Sequence, residues 1–192
     1  MKTILFVTSN SRKVEDYNRR FAKADYLVEQ LNIDLNEGRS LDIQEITKLK
    51  LDQAKIASKN NPVFVEDRGF FIPTLNGFPG PFVKLFLKSI GIEGVIDLMK
   101  TKNDREAKFV SVLGFWDGEN EYFFEEIEEG FITNDIRKGD IRGWTEILNI
   151  YGHSSFPGKA LSELSDNEWE KYLSTIEKND YINKFIRFLI NR

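Results

Sequence analysis

The chain has 192 residues, of which 41% are hydrophobic and 30% charged, and its formal net charge is −4. This length predicts one compact domain or two closely packed lobes, and 16 phenylalanines can supply a core, which excludes a disordered chain. The acidic charge argues against a protein that coats nucleic acid, although a local basic pocket can still bind a free nucleotide. The sequence contains no cysteine, which excludes disulfides, thiol catalysis and the usual zinc sites.

Membrane and secretory segments are not predicted. No apolar stretch approaches the roughly 20 residues of a membrane span, and the short N-terminal apolar run is too brief for a signal peptide. We therefore expect a cytoplasmic protein without a membrane or nucleic-acid partner.

The first predicted element is a strand over residues 2–8, which leads into a helix at about 12–23. Between them, Thr8-Ser9-Asn10-Ser11 offers hydroxyls, an amide and the backbone N–H groups of a helix N-terminus. Arg12 and Lys13 stand in the first turn, where the helix dipole alone favours acids. A bound phosphate explains these cations. The alternative is an ordinary capped helix with solvated charges, since no glycine-rich phosphate loop is present.

A second strand is predicted over 26–35 and a helix over about 43–60. Next, the apolar run Pro62-Val63-Phe64-Val65 predicts a buried strand over 63–66 that delivers Glu66 and Asp67 to a turn at Gly69. An Asp at the carboxyl end of such a strand lies where α/β sheets bind ligands, although a helix cap is the alternative. Neighbouring residues of an extended chain point to opposite sides, so the two carboxylates are not expected to share a face.

The second half of the chain changes character. Short helices are predicted over 81–90 and 93–100, a hairpin over 107–116 and 121–127, and a further strand over 130–133. The last quarter returns to helix, with an apolar stripe that predicts core or a dimer contact: Tyr172, Ile176, Tyr181, Phe185, Phe188 and Leu189. Strand–helix alternation followed by antiparallel strands predicts the α/β class with a mixed sheet.

Three segments together resemble the inosine triphosphate pyrophosphatase (ITPase or Ham-type) family, which hydrolyses deaminated purine nucleoside triphosphates to monophosphates and pyrophosphate. They are Thr8-x-Asn10-x-x-Lys13, Glu66-Asp67-x-Gly69-Phe70 and Asn76-Gly77-Phe78-Pro79-Gly80-Pro81-Phe82. The likeness is firm from residue 1 to about 115 and loose thereafter. It implies a single ITPase-like domain over 1–192, with two lobes that flank a cleft around an elongated central sheet, and a homodimer.

The resemblance also implies roles for single residues. Asp67 would be the central catalytic acid, which holds a metal or activates the attacking water. Asp42, in the place of a metal-binding Glu of the family, would help to hold Mg²⁺, with a helix N-cap completed by Glu45 as the alternative. Lys50 lies near a phosphate-contacting lysine of the family, and its alternative is a solvated helix charge. The implied substrate-binding residues of this half are Thr8, Ser9, Asn10, Lys13, Lys50 and Gly69.

The base-recognition segment departs from the family. The family's aromatic-glycine-aromatic-Asp-Pro segment corresponds to residues 142–148. There Trp144 would stack on a base or belong to the core. Glu146, or Thr145 in a neighbouring register, would stand where the family has Asp.

The family's Ser-His-Arg triplet, which recognises the purine, is absent, and His153, the only histidine, lies too early in the chain. Either 175–177 or 182–184 takes its place, and Lys171 or Lys178 would be the nearby substrate-binding lysine in the two registers. A site without those hydrogen-bond donors is expected to lose part of its selectivity for the purine 6-oxo group.

We therefore predict a Mg²⁺-dependent nucleoside triphosphate pyrophosphatase for ITP- and XTP-type substrates, with relaxed or altered base preference. Two alternatives remain. One is a pyrophosphatase for pyrimidine or modified nucleotides, as in the related Maf-like group. The other is a nucleotide-binding protein of the same fold with impaired catalysis.

Overall fold

The computed structural model describes residues 2–22, 24–36, 38–140, 142, 145–178 and 180–192. Its strands are β1 (Lys2–Val7), β2 (Tyr26–Leu31), β3 (Val63–Phe71), β4 (Pro79–Gly80), β5 (Glu106–Trp116), β6 (Glu121–Ile132) and β7 (Tyr151–His153). Its helices are α1 (Ser11–Phe21), α2 (Ile43–Ala57), α3 (Val83–Ser89), α4 (Gly91–Met99), α5 (Asp166–Glu177) and α6 (Tyr181–Ile190). Within the described residues, no helix is long and apolar enough to cross a bilayer.

The strands form a mixed sheet in the order β2-β1-β3-β5-β6-β7, with β4 paired to β3 outside this path. Strand β1 runs parallel to both β2 and β3, whereas β4 pairs antiparallel with β3 and β7 antiparallel with β6. The predicted α/β class with a mixed sheet is confirmed.

The chain forms two compact units. The first contains Met1–Arg68, Ser111–Glu126 and Asn179–Arg192, and the second contains Gly69–Val110 and Ile127–Lys178.

The core of the first unit follows the alternation of its strands. On one face of the sheet, Ile4, Phe6 and Phe64 pack with the buried aromatic residues of α1 and α6. On the other face, Val63 and Val65 pack with the buried residues of α2. The rings of Phe6 and Phe64 stack with centroids 4.4 Å apart, and burial of each such side chain contributes about 2–3 kcal/mol. Adjacent residues of β3 therefore belong to different clusters.

The second unit has its own core around three aromatic rings. Phe70, Phe109 and Tyr151 contact one another with ring centroids 4.7–5.7 Å apart. Residues of α3, α4 and α5 pack around them.

Strand β3 is longer than predicted, because it continues beyond Glu66 to Phe71. The predicted turn at Gly69 is therefore wrong. A Cβ at Gly69 would lie 2.6 Å from Cε2 of Phe71 and 3.0 Å from the carbonyl oxygen of Gly80 in β4. Glycine is needed here for the close approach of a neighbouring strand rather than for a turn.

Three other boundaries differ from the prediction by three residues or more. Strand β2 ends at Leu31 instead of residue 35. Helix α2 ends at Ala57, shortly before Lys59 and Asn60, which both have left-handed backbone conformations that a helix cannot continue through. Residues 130–132 are the end of β6 rather than a separate strand.

The predicted C-terminal apolar stripe lies on two helices and in two cores. Tyr172 of α5 is buried in the second unit, whereas Phe185 and Leu189 of α6 are buried in the first. The prediction that the stripe forms core is confirmed for these residues.

Helix α6 is tied to α1 by a mostly buried ion pair. The Arg20 guanidinium donates to both carboxylate oxygens of Asp180, at 2.7 and 2.6 Å. Asp180 is also the N-cap of α6, because its Oδ1 accepts the N–H of Asn183 at 2.7 Å.

We expect Arg20→Gln to lower the free energy of unfolding by about 3 kcal/mol, because it leaves the buried Asp180 carboxylate without its cation. The matched control is Arg19→Gln, which removes an exposed pair with Asp16 and should cost less than about 1 kcal/mol. Urea unfolding of both variants measures the difference. Equal costs would contradict this account.

The turn between β5 and β6 is organised by Asp117. Its Oδ1 accepts the backbone N–H groups of Glu119 and Asn120 at 2.8 and 2.7 Å, and its Oδ2 pairs with the Arg192 guanidinium. Burial alone raises the pKa of Asp117, but these hydrogen bonds and the Arg192 charge outweigh it and lower the pKa to about 2.

A pH-dependent contribution to stability follows. Because the folded-state pKa lies below the unfolded value near 4, the ionised carboxylate stabilises the fold above about pH 4 and loses this effect as pH falls toward 2. We expect Asp117→Asn to cost about 1–2 kcal/mol at neutral pH and less below about pH 3. Urea unfolding at several pH values tests this, with Glu119→Gln in the same turn as the control. A cost that does not change with pH would exclude the charge as its origin.

Candidate active site

The candidate site begins where β3 passes the end of β1. The register pairs Leu5 with Val63 and Phe6 with Phe64, and β1 ends one residue later, at Val7. Residues 66 and 67 of β3 therefore lie at the level of the segment 8–10 that follows β1. In a parallel pair, this is the carboxyl edge where α/β sheets bind ligands.

Asp67 is held by a lysine of α2. The Lys50 ammonium donates to Oδ2 of Asp67 at 2.6 Å, and the two side chains are 14% and 18% exposed. The backbone N–H of Arg68 donates to Oδ1 of Asp67 at 2.9 Å. Lys50 is therefore not a solvated helix charge: the structure brings it together with the predicted catalytic carboxylate.

Glu66 points to the opposite face of β3, toward α1 and α6, as the alternation predicts. Its Oε1 accepts a hydrogen bond from the Lys13 ammonium at 2.6 Å, and its Oε2 accepts from the hydroxyls of Tyr17 at 2.6 Å and Tyr181 at 2.9 Å. The prediction that Glu66 and Asp67 do not share a face is confirmed.

These contacts change the acidity of Glu66, Tyr17 and Tyr181. Burial alone raises the pKa of Glu66, but attraction to Lys13 and the hydrogen bonds from Lys13 and the tyrosines outweigh it, so the pKa is lowered. Burial, followed by the nearby Glu66 charge, raises the pKa of Tyr17 and of Tyr181 well above the usual value. The carboxylate is thus ionised and the phenols are protonated donors.

The segment after β1 forms a capped helix start. The backbone N–H of Asn10 donates to Oγ1 of Thr8 at 3.1 Å, and Oδ1 of Asn10 accepts the backbone N–H of Arg12 at 3.0 Å. Asn10 is the N-cap of α1, whose first turn contains no acid. Ser9 is exposed beside it. The predicted substrate contacts of Thr8, Ser9 and Asn10 stay predictions.

Asp42 is the N-cap of α2. Its Oδ1 accepts the backbone N–H of Gln44 at 2.8 Å. Ser40 lies between it and Glu45, because the backbone N–H of Asp42 donates to Oγ of Ser40 and that hydroxyl donates to Oε2 of Glu45. Asp42 therefore caps α2, with Glu45 linked to the cap through Ser40, and its predicted role as a metal ligand stays a prediction.

The described residues contain no group of three His, Cys, Asp or Glu side chains that could hold a metal ion. Mg²⁺ commonly needs only one or two protein carboxylates, because substrate phosphates and water complete its shell. Asp67 is partly exposed and Asp42 is exposed, so both offer the hard oxygen ligands that this ion prefers. Carboxylates of this kind suit Mg²⁺ when a phosphate ligand and water complete its shell.

The residues predicted to contact the base belong to the second unit, apart from Trp144, which lies outside the described residues. Glu146 is exposed at the start of a 3₁₀ turn, Glu146–Asn149, whereas Thr145 is buried and its hydroxyl accepts the N–H of Ile147 at 3.3 Å. Lys171 of α5 is exposed, with its ammonium 6.0 Å from the ring centroid of Phe156. Their predicted contacts with a base stay predictions.

His153 has a structural place in the second unit. It is buried, its Nδ1 accepts the backbone N–H of Ser155 at 3.1 Å, and its ring packs against Tyr172. Burial lowers its pKa, although the Glu128 carboxylate opposes this effect.

Tyr17 and Tyr181 are the site residues that sequence reasoning missed. Tyr17 follows Lys13 by one helical turn on α1, so the two lie on the same face and a signal was present. Tyr181 contacts Glu66 across 115 residues of chain, and no local pattern predicts such a contact.

Comparison with known proteins gives the family. The model of the Ham1 family matches residues 4–173. The dITP/XTP pyrophosphatase of Korarchaeum cryptofilum is 36% identical over 143 residues, which cover 73% of this chain and 74% of that protein. The inosine triphosphate pyrophosphatase of Saccharomyces cerevisiae is 33% identical over 157 residues, which cover 77% and 79%.

Solved structures share the fold. The HAM1 protein from Coxiella burnetii superposes with a TM-score of 0.84 at 18% identity over 100% of both chains. The Ham1 protein of Staphylococcus aureus gives 0.80 at 23% identity over 98% of both. On the family match and the relatives together, this chain belongs to the Ham1 family.

Proposed function

We propose that the protein hydrolyses deaminated purine nucleoside triphosphates of the ITP and XTP type to monophosphates and pyrophosphate. The observation that carries this proposal is the Lys50–Asp67 pair at the carboxyl edge of the sheet, beside the start of α1. The relatives named dITP/XTP pyrophosphatase and inosine triphosphate pyrophosphatase support the substrate class.

The start of α1 is suited to bind the phosphates. Its backbone N–H groups and dipole favour an anion, and Arg12 and Lys13 add two cations to a first turn that contains no acid. Lys13 is half-exposed, so its ammonium can reach a ligand in solvent. These groups would neutralise the charge of the bound triphosphate.

Asp67 is suited to orient and deprotonate the attacking water. The water oxygen would bond to phosphorus as the bond between the α- and β-phosphates breaks. The water proton would pass to the Asp67 carboxylate, and pyrophosphate would leave with the electron pair of the broken bond. Lys50 holds Asp67 in one position at 2.6 Å, which favours a single water geometry.

We propose Mg²⁺ as the cofactor, held by Asp67 and Asp42 together with the substrate phosphates. When bound, the ion would neutralise phosphate charge and orient the triphosphate. Lys13 and Lys50 would add positive charge beside it.

Base preference is expected to be broader than a strict preference for 6-oxopurines. The chain lacks the Ser-His-Arg triplet, and we propose Trp144, Glu146 and Lys171 as the residues that contact the base instead. The missing donors favour one second candidate, a pyrophosphatase for pyrimidine or modified nucleotides.

Three further expectations are proposals supported by the family resemblance. Residues 1–192 would form one ITPase-like domain of two lobes. Two copies would form a homodimer. The protein would act on free nucleotides in the cytoplasm.

We expect Asp67→Asn to lower kcat for ITP by about 10³-fold, because it removes the proton acceptor while its shape is kept. Pyrophosphate release with Mg²⁺ measures this on ITP, XTP, dUTP and the four standard dNTPs. The control is Asp52→Asn, which changes a partly exposed α2 carboxylate paired with Lys48 and Lys55 and should retain nearly full activity.

The outcomes of this assay distinguish the proposed function from its two alternatives. Preference for ITP or XTP supports the proposal, and preference for another base supports the second candidate. An Asp67→Asn variant as active as the control would remove Asp67 from the chemistry. If no triphosphate is hydrolysed, the nucleotide-binding alternative is the better account.

A further inference from the structure

We propose that Glu66 is a positioning residue. Its carboxylate, which accepts hydrogen bonds from the hydroxyls of Tyr17 and Tyr181, holds the Lys13 ammonium where it can bind a triphosphate ligand. The identity of the ligand rests on the proposed function, whereas the positioning rests on the contacts of Glu66.

The two partners of the ion pair differ sharply in burial. The Glu66 side chain is 10% exposed and that of Lys13 is 50% exposed, with Nζ and Oε1 2.6 Å apart. Two hydroxyls hold the other carboxylate oxygen, at 2.6 and 2.9 Å. The Glu66 carboxylate is therefore held by residues of two helices, and it holds the more exposed Lys13 ammonium in one position.

The tyrosines give the carboxylate its fixed position. Tyr17 is 3% exposed, and its ring packs against Phe6 and Phe64 with centroids 4.9 Å away. Tyr181 is the first residue of α6, and the capping Asp180 before it is bound by Arg20 of α1. Both hydroxyls are thus carried by groups that cannot easily move, and Oε2 of Glu66 is held between them.

The arrangement leaves Lys13 able to bind a second anion. An ammonium has three N–H donors, and the bond to Glu66 needs one of them. Lys13 lies in the first turn of α1, where the dipole favours an anion. A phosphate that meets these N–H groups would find the lysine already localised, so less side-chain entropy is lost on binding.

A purely stabilising role is a weaker explanation. A buried ion pair adds little net stability, because desolvation offsets the Coulombic gain. Glu66 also shares its face of β3 with Phe64, which is part of an apolar cluster, so an apolar residue would suit this face. The charge of Glu66 is therefore better explained by its effect on the position of Lys13 than by its contribution to stability.

The test uses inorganic triphosphate as the probe, so that neither base nor catalysis enters. Calorimetry would measure its Kd for the full chain and for Glu66→Gln, Lys13→Met and the double variant. We expect each single variant to raise Kd about tenfold, and the double variant to bind no worse than Lys13→Met, because Glu66 acts through Lys13.

A matched control is Glu121→Gln. Glu121 is likewise a partly buried carboxylate of the first unit that pairs two lysines, Lys48 and Lys55, and its loss should leave Kd unchanged. Should Glu66→Gln fold poorly, Tyr181→Phe removes one donor to Glu66 with the ring retained, and it should raise Kd by a smaller factor.

Kinetics give a second readout that a merely structural role would not move. Glu66→Gln should raise KM for the hydrolysed triphosphate with kcat nearly unchanged, because Lys13 binds the phosphates equally in the ground and transition states. Glu66→Asp, which keeps the charge, should have a KM between those of Glu66→Gln and the unaltered chain.

Several results would overturn the proposal. The Glu66→Gln variant could bind triphosphate as tightly as the unaltered chain or more tightly. The losses in affinity of the two single variants could add up in the double variant. The unaltered chain could also fail to bind triphosphate. The proposed function fails separately, if triphosphate binds as expected and no nucleoside triphosphate is hydrolysed.

Discussion

The site depends on the alternation of side chains along β3. In an extended strand, consecutive residues point to opposite faces, so Glu66 faces α1 and α6 whereas Asp67 faces α2. Each carboxylate is met by a lysine from the helix on its own face, Lys13 at 2.6 Å and Lys50 at 2.6 Å. A shift of one residue in the strand would exchange the two carboxylates and separate both pairs.

Packing rather than charge holds this register. Phe64 stacks on Phe6 on one face, and Val63 and Val65 fill the α2 side on the other. These apolar contacts exceed any net gain from the ion pairs, which the loss of hydration nearly cancels. The hydrophobic core therefore fixes the strand, and the strand places two carboxylates at the edge of the sheet. Each lysine at that edge has a carboxylate partner, which offsets the cost of removing its ammonium group from water.

Much of this could be predicted from the sequence. The apolar run before Glu66 predicts a buried strand, the polar segment after β1 predicts a capped helix, and alternation alone separates the two carboxylates. These features depend on residues that are close in the chain. Motif order adds the family, which the comparisons bear out.

Other features could not be predicted, because they depend on residues far apart. Gly69 resembles a turn residue, yet it lies in a strand because β4 approaches its backbone. Tyr181 reaches Glu66 only after the fold has formed, across 115 residues. The cap of α2 includes Ser40, whose hydroxyl links Asp42 to Glu45, and pattern rules for capping do not include such a link.

The most direct test of the account is a crystal structure of the Asp67→Asn variant with ITP and Mg²⁺. We expect the triphosphate to lie at the carboxyl edge of β1 and β3. Its phosphate oxygens should accept hydrogen bonds from the Lys13 ammonium and from backbone N–H groups at the start of α1, and Glu66 should keep its contact with Lys13. A triphosphate bound away from both Lys13 and Lys50 would contradict it.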